Sequence, residues 1–172
     1  MNLTARTDAT GGNINLNINR TGFGTEIDTG LRVSGNLTAD SSATGADDFF
    51  IVRDNGGTGI GQNAIGGDIA INITDGGVLD VGGNTRFLTG AQGGKGEIQN
   101  GFGQAGNIVF NMDSGIAAFG SDVSFEANVR NTGDGKIGGS GVGLLGSKST
   151  AGDVDLILTG GELTVNGNLG FT

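Results

Sequence analysis

Apolar side chains recur at every second position along short stretches of this chain, with polar or small residues between them. Ile14, Leu16 and Ile18 alternate with asparagines, and Ile69, Ile71 and Ile73 repeat the pattern. That period is the signature of a strand with one buried face. Four stretches align when each is started at glycine followed by Asn or Asp: Gly12-Asn13-Ile14, Gly67-Asp68-Ile69, Gly106-Asn107-Ile108 and Gly152-Asp153-Val154. The inward residues are then Ile14, Leu16 and Ile18; Ile69, Ile71 and Ile73; Ile108, Phe110 and Met112; and Val154, Leu156 and Leu158.

A second, shorter apolar pair follows each stretch: Leu31 and Val33, Leu79 and Val81, Ala117 and Phe119, Leu163 and Val165. Three positions later stands Asn36, Asn84, Asp122 or Asn168. Such side chains tolerate left-handed backbone and can bond their own turn, so the column predicts a repeated corner. A third strand comes next, with Leu37 and Ala39, Thr85 and Phe87, Val123 and Phe125, and Leu169 and Phe171 inward, and with Leu3 and Ala5 as its counterpart at the start. Three strands and sharp corners per repeat predict an all-β, right-handed parallel β-helix (β-solenoid) with triangular coils stacked about 4.8 Å apart. The hand comes from the general rule for parallel crossovers. The predicted organisation is a single solenoid segment over residues 1–172, with repeats near 12–66, 67–105, 106–151 and 152–172 and with 1–11 as the last strand of a preceding repeat.

Stacking would place Ile14, Ile69, Ile108 and Val154 in one core column and Phe87, Phe125 and Phe171 in another. Asn17, Asn72 and Asn111 would form an outer amide ladder, which Ile157 interrupts. The connection from third strand to first varies in length, and two readings stay open. Either one corner carries long loop insertions, at 40–66, 90–105 and 128–151, or the two longest connections hide a degenerate coil in Phe49-Phe50-Ile51-Val52 and Val142-Gly143-Leu144-Leu145. Both chain ends fall on the third strand and show no cap, which implies excision from a longer solenoid or head-to-tail stacking of identical chains.

Composition narrows the function. The 172 residues include 38 Gly but no Pro, Cys, His, Trp or Tyr. A net charge of −9 with only nine Lys and Arg argues against a nucleic-acid partner. No apolar run approaches the roughly 18 residues of a membrane span. The first residues lack the apolar region of a signal peptide, so an exported protein would be represented here by an excerpt.

The runs Gly66-Gly67-Asp68-Ile69-Ala70-Ile71-Asn72-Ile73 and Gly76-Gly77-Val78-Leu79-Asp80-Val81-Gly82-Gly83-Asn84 resemble the β-helix repeats of filamentous-haemagglutinin-type adhesins and autotransporter passenger regions. The resemblance covers nearly the whole chain and is one of repeat style. It implies a rigid stalk or filament segment of a secreted bacterial surface protein, extracellular or on the cell surface, serving adhesion or biofilm formation. Its implied partners are neighbouring repeats, identical chains, and a host surface or glycan.

No enzyme is expected. Without His or Cys, zinc sites and Ser-His-Asp or Cys-His catalysis are excluded for this segment. The rival function is a glycan-binding or glycan-cleaving β-helix using outward carboxylates such as Asp153 and Asp155. It lacks the Trp or Tyr on which sugars usually stack. No cofactor is expected. Calcium is the metal that the oxygen-rich loops admit, with Asp47, Asp48, Asp54 and Asp134 as candidate ligands. Neither loop follows the calcium-binding nonapeptide or an EF-hand. The glycine runs at 56–61 and 138–141 lack the Lys and helix of a phosphate cradle.

Overall fold

The computed structural model describes residues 8–20, 30–47, 60–96, 99–130 and 149–172. Its strands are β1 (Ala9–Thr10), β2 (Ile14–Asn19), β3 (Gly30–Val33), β4 (Leu37–Asp40), β5 (Ala43–Thr44) and β6 (Ala64–Ile65). Next come β7 (Ile69–Thr74), β8 (Gly77–Val81), β9 (Thr85–Leu88), β10 (Ala91–Gln92) and β11 (Gly103–Gln104). The third series is β12 (Ile108–Met112), β13 (Gly115–Phe119), β14 (Val123–Glu126) and β15 (Val129–Arg130), and the fourth is β16 (Val154–Leu158), β17 (Glu162–Val165) and β18 (Leu169–Phe171). The described residues are all-β, with no helix.

These strands form five sheets, and every named pairing is parallel. The first sheet has the order β16-β12-β7-β2, the second β17-β13-β8-β3 and the third β18-β14-β9-β4. The fourth is β15-β10-β5 and the fifth β1-β6-β11. The chain therefore visits the sheets in a fixed sequence, first to fifth, and then returns to the first one strand further on. Each such circuit is called a pass below. Parallel neighbours need long connections, and here the rest of a pass supplies them.

Register follows the apolar columns without a slip. Ile14 pairs with Ile69, Ile69 with Ile108 and Ile108 with Val154. Ala39, Phe87, Phe125 and Phe171 stand in one line across the third sheet. A shift by one residue would turn every inward side chain outward, so the buried face fixes the pairing. The first three sheets enclose one core in which Ile71, Leu79, Phe87, Ile108 and Phe110 are fully buried. The Phe125 ring stacks on Phe87 with centroids 5.1 Å apart and on Phe171 at 5.4 Å, and meets Phe110 edge-on at 6.1 Å. The turn from first to second sheet needs left-handed backbone: Asp75 has φ 52° and Gly76 φ 75°, and Gly161 at the equivalent bend has φ 89°.

The long third-to-first connection is more than a loop insertion. Its described residues carry two further strands per pass, in the fourth and fifth sheets, around a second, smaller core of Ala43, Ala64 and Ala91 with Ala9 packed against it. A full pass thus has five strands, not three. Alanine suits this lobe because the two sheets approach closely, and at its tip even a methyl does not fit: a Cβ on Gly94 would run into the Ala46 carbonyl, and one on Gly101 into that of Gln62. Hydrogen bonds pinch the pass between its two lobes. The Gly67 amide donates to the Ser41 carbonyl at 2.9 Å, and the buried Ser41 hydroxyl donates to the Gly67 carbonyl at 2.6 Å. One pass on, the Thr89 hydroxyl donates to the Gly106 carbonyl at 2.6 Å. Glycine is required at this waist, since a Cβ on Gly67, Gly106 or Gly152 would strike the carbonyl of the residue one pass below.

Three expected inward residues depart from burial. Leu158, Leu169 and Phe171 are 47%, 40% and 47% exposed, because they lie on β16 and β18, the outermost strands of their sheets among the described residues. Ile14, Leu16, Val154 and Leu156 are half-buried for the same reason, at one edge or the other, whereas Ile18, Ile69, Ile73 and Met112 are buried. Leu3 and Ala5, and the apolar runs Phe49–Val52 and Val142–Leu145 weighed as an extra coil, lie outside the described residues.

Candidate functional site

The corner column Asn36, Asn84, Asp122 and Asn168 falls in the bend between the second and third sheets, as the spacing requires. Its mechanism differs from the expected one. None of the four has positive φ, and Asn36, Asp122 and Asn168 bond a neighbouring pass instead of their own turn. Asn36 Oδ1 accepts the Asn84 amide at 2.9 Å, and Asp122 Oδ1 accepts the Asn168 amide at 2.8 Å. Asn36 and Asp122 thus reach along the stacking direction to a backbone amide of the neighbouring layer.

A second ladder of this kind was present in the sequence as the residue after each waist glycine. Asn13 Oδ1 accepts the Asp68 amide at 2.9 Å, Asp68 Oδ1 that of Asn107 at 2.8 Å, and Asn107 Oδ1 that of Asp153 at 2.9 Å. Three identical steps make this a structural device, with Asn and Asp alternating so that no two carboxylates are adjacent. A third ladder starts the fifth sheet, where Asp8 Oδ1 accepts the Asn63 amide and Asn63 Oδ1 that of Phe102. On the outer face of the first sheet, Asn72 Nδ2 donates to Asn17 Oδ1 at 2.9 Å.

The waist leaves a groove on each side. One, of about 340 Å³, lies between the fifth and first sheets and is lined by Thr10, Ile65, Gln104, Asn13, Asp68 and waist glycines. The other, of about 320 Å³, lies between the third and fourth sheets and carries most of the side-chain chemistry. There Arg86 Nε donates to Glu126 Oε1 at 2.8 Å and its Nη2 to Oε2 at 2.7 Å. The hydrogen bond from Arg86 holds the Glu126 carboxyl below the usual range, against the opposing effect of burial and with help from Ser124. The same contact raises Arg86. Side-chain exposures of 45% and 23% keep this pair near the surface regime, worth no more than about 1 kcal/mol. Asp40 and Arg130 flank it, so charges of alternating sign follow one another along the groove.

Of the four candidate metal ligands, one lies among the described residues. Asp47 is exposed and its Oδ1 accepts the Lys95 amide at 2.6 Å, while Asp48, Asp54 and Asp134 lie outside the described residues. Among the described residues no group of three or more His, Cys, Asp or Glu is placed to hold a metal ion. Of the outward carboxylates, Asp153 heads β16 as a rung of the ladder and Asp155 is exposed on the outer face of β16. No described helix is long and apolar enough to cross a membrane. No protein-family model, curated protein or solved structure matches the chain.

Proposed function

We propose that the chain is a right-handed parallel β-solenoid segment serving as a rigid spacer in the stalk or filament of an exported bacterial surface adhesin. The observation that carries this reading is the unbroken register of the first three sheets across four passes, together with the side-chain ladders that repeat it at the bends. Among the described residues, side chains make layer-to-layer contacts that include amide ladders, a ring stack and an ion pair between adjacent passes. Such an object resists bending and transmits force along its axis. Four layers at about 4.8 Å span only about 19 Å, so one chain is a short section of a rod and its mechanical role depends on being stacked with more of the same. Export fits a polar, glycine-rich, cysteine-free chain whose core forms pass by pass.

The test is an in-frame deletion of one whole pass, residues 67–105, from the parent surface protein. A spacer predicts normal surface display and retained cell attachment, with a projection shortened by one layer. Loss of attachment at unchanged display would show that recognition resides in this segment, and would overturn the spacer role.

A further inference from the structure

An asparagine followed by glycine exposes its side-chain carboxamide to attack by the next backbone nitrogen, because glycine puts no Cβ in the way. The chain has three such pairs, at 55–56, 100–101 and 166–167, and the first lies outside the described residues. The other two are held differently. Asn100 Oδ1 accepts the Gly96 amide at 3.1 Å, and the Gly101 amide, the nucleophile of that pair, is buried and donates to the Gly94 carbonyl at 2.8 Å. Asn166 and Gly167 are both exposed, and among the described residues neither the Asn166 carboxamide nor the Gly167 amide has a hydrogen-bond partner. This difference does not depend on what lies beyond β17. Asn166 follows the inward Val165, so its side chain projects from the outer side of the bend, at the position that Ser34, Gly82 and Gly120 hold in the other passes. The Gly83 amide, equivalent to that of Gly167, faces the preceding pass and donates to the Gly35 carbonyl at 2.9 Å.

We propose that Asn166 is a site of spontaneous covalent modification, converted to aspartate and isoaspartate in the folded chain without an enzyme. The Gly167 nitrogen gives up its proton to solvent and forms a bond to Asn166 Cγ. The carboxamide nitrogen takes a proton from water and leaves as ammonia, which closes a five-membered succinimide. Water then adds to either ring carbonyl and breaks its C–N bond: opening at Cγ gives aspartate, and opening at the backbone carbonyl gives isoaspartate. One water is consumed, one ammonia is released and nothing is oxidised. Either product places a new carboxylate two positions before Asn168, whose backbone amide and Nδ2 donate to Asp122 Oδ1 at 2.8 and 3.2 Å. Isoaspartate also adds one carbon to the backbone of the bend that joins β17 on β13 to β18 on β14. The modification therefore acts on a contact between passes.

The test is incubation of the purified, folded chain at mildly alkaline pH, followed by peptide mapping with mass spectrometry. Each Asn-Gly pair is read separately, by the mass gained when NH is replaced by O and by the chromatographic separation of the aspartate and isoaspartate peptides. The rate at Asn166 should exceed that at Asn100 by at least about tenfold, because Asn100 reacts only after the hydrogen bonds that hold it and Gly101 have opened. The same incubation in guanidinium, where both pairs are unfolded, should bring the two rates together. Local sequence gives Asn166 no advantage there, since it follows the β-branched Val165 whereas Asn100 follows Gln99. Equal rates in the folded chain, a faster reaction at Asn100, no product at Asn166, or a preference for Asn166 that persists undiminished in guanidinium would each overturn the proposal.

Discussion

Truncating Phe125 to alanine should be among the most damaging single changes in the chain. The residue is 2% exposed, in an inner layer, with its ring between Phe87 and Phe171 and edge-on to Phe110. A buried Phe→Ala change typically costs about 3–5 kcal/mol in transfer energy and residual cavity. Because the lost side chain bridges two pass-to-pass contacts, neither neighbouring layer can collapse into the space without leaving its own register, which places Phe125→Ala toward the upper part of that range. Phe171→Ala is the internal comparison. It removes the same ring from a site that is half open, with one neighbour in the stack, and should cost about 1–2 kcal/mol by the area it takes out of water. Asn128→Ala, at an exposed position whose side chain donates to the Thr172 hydroxyl at 3.3 Å, should change stability by no more than about 0.5 kcal/mol. The chain has no Trp or Tyr, so the assay is guanidinium unfolding followed by far-ultraviolet circular dichroism. Equal losses for Phe125→Ala and Phe171→Ala would refute the reasoning, because they would mean that position within the stack does not set the cost.

Three other outcomes follow from particular atoms. Thr85 stands in a column with Leu37 and Val123, is 2% exposed, and its hydroxyl has no partner, so Thr85→Val should raise stability by about 1–2 kcal/mol in the same unfolding assay. Gly106→Ala pushes a methyl into the Gly67 carbonyl and should cost about 1–3 kcal/mol, while Gly35→Ala, with open space around it, should be neutral or slightly stabilising; the two thermal midpoints should move in opposite directions or by clearly different amounts. Arg86 depresses the Glu126 carboxyl, so its stabilisation is complete above the ordinary glutamate range and is lost as pH falls through that range to the lowered value. Glu126→Gln should therefore be weaker than the parent by up to about 1 kcal/mol near neutrality and equal to it in acid; a gap that persists or grows in acid would contradict the assignment.

The large core was legible because its strands are long enough to show a period of two and its inward residues are Ile, Leu, Val and Phe against Asn, Thr and Asp. The small lobe was not. Two-residue strands have no period to read, and Ala against Gly, Gln or Thr gives little hydrophobic contrast, so 41–47 and 89–96 look like loop. A signal was nonetheless present in the spacing. Ala43, Ala91 and Val129 each stand four positions after an inward residue of the third sheet, and Ala9, Ala64 and Gly103 five before Ile14, Ile69 and Ile108. The corner Asx column was found for a reason the structure replaces: local turn chemistry predicts self-bonding, but in a stack the unsatisfied amide lies in the neighbouring layer. The equivalent role of Asn13, Asp68, Asn107 and Asp153 was missed because alignment treated them as the flank of a strand. The half-exposure of Leu158 and Phe171 depends on what lies beside β16 and β18, which a repeat pattern does not state.

The pass-to-pass register is tested most directly by three double-cysteine variants on the outer face of the first sheet. Asn17, Asn72 and Asn111 occupy one line across β2, β7 and β12. Neighbouring parallel strands lie about 4.8 Å apart, within disulfide reach, and strands two apart do not. Oxidation should close 17 to 72 and 72 to 111 within one chain at high yield and leave 17 and 111 as free thiols. Closure of 17 to 111, or failure of either adjacent pair in a folded protein, would contradict the stacked-pass architecture.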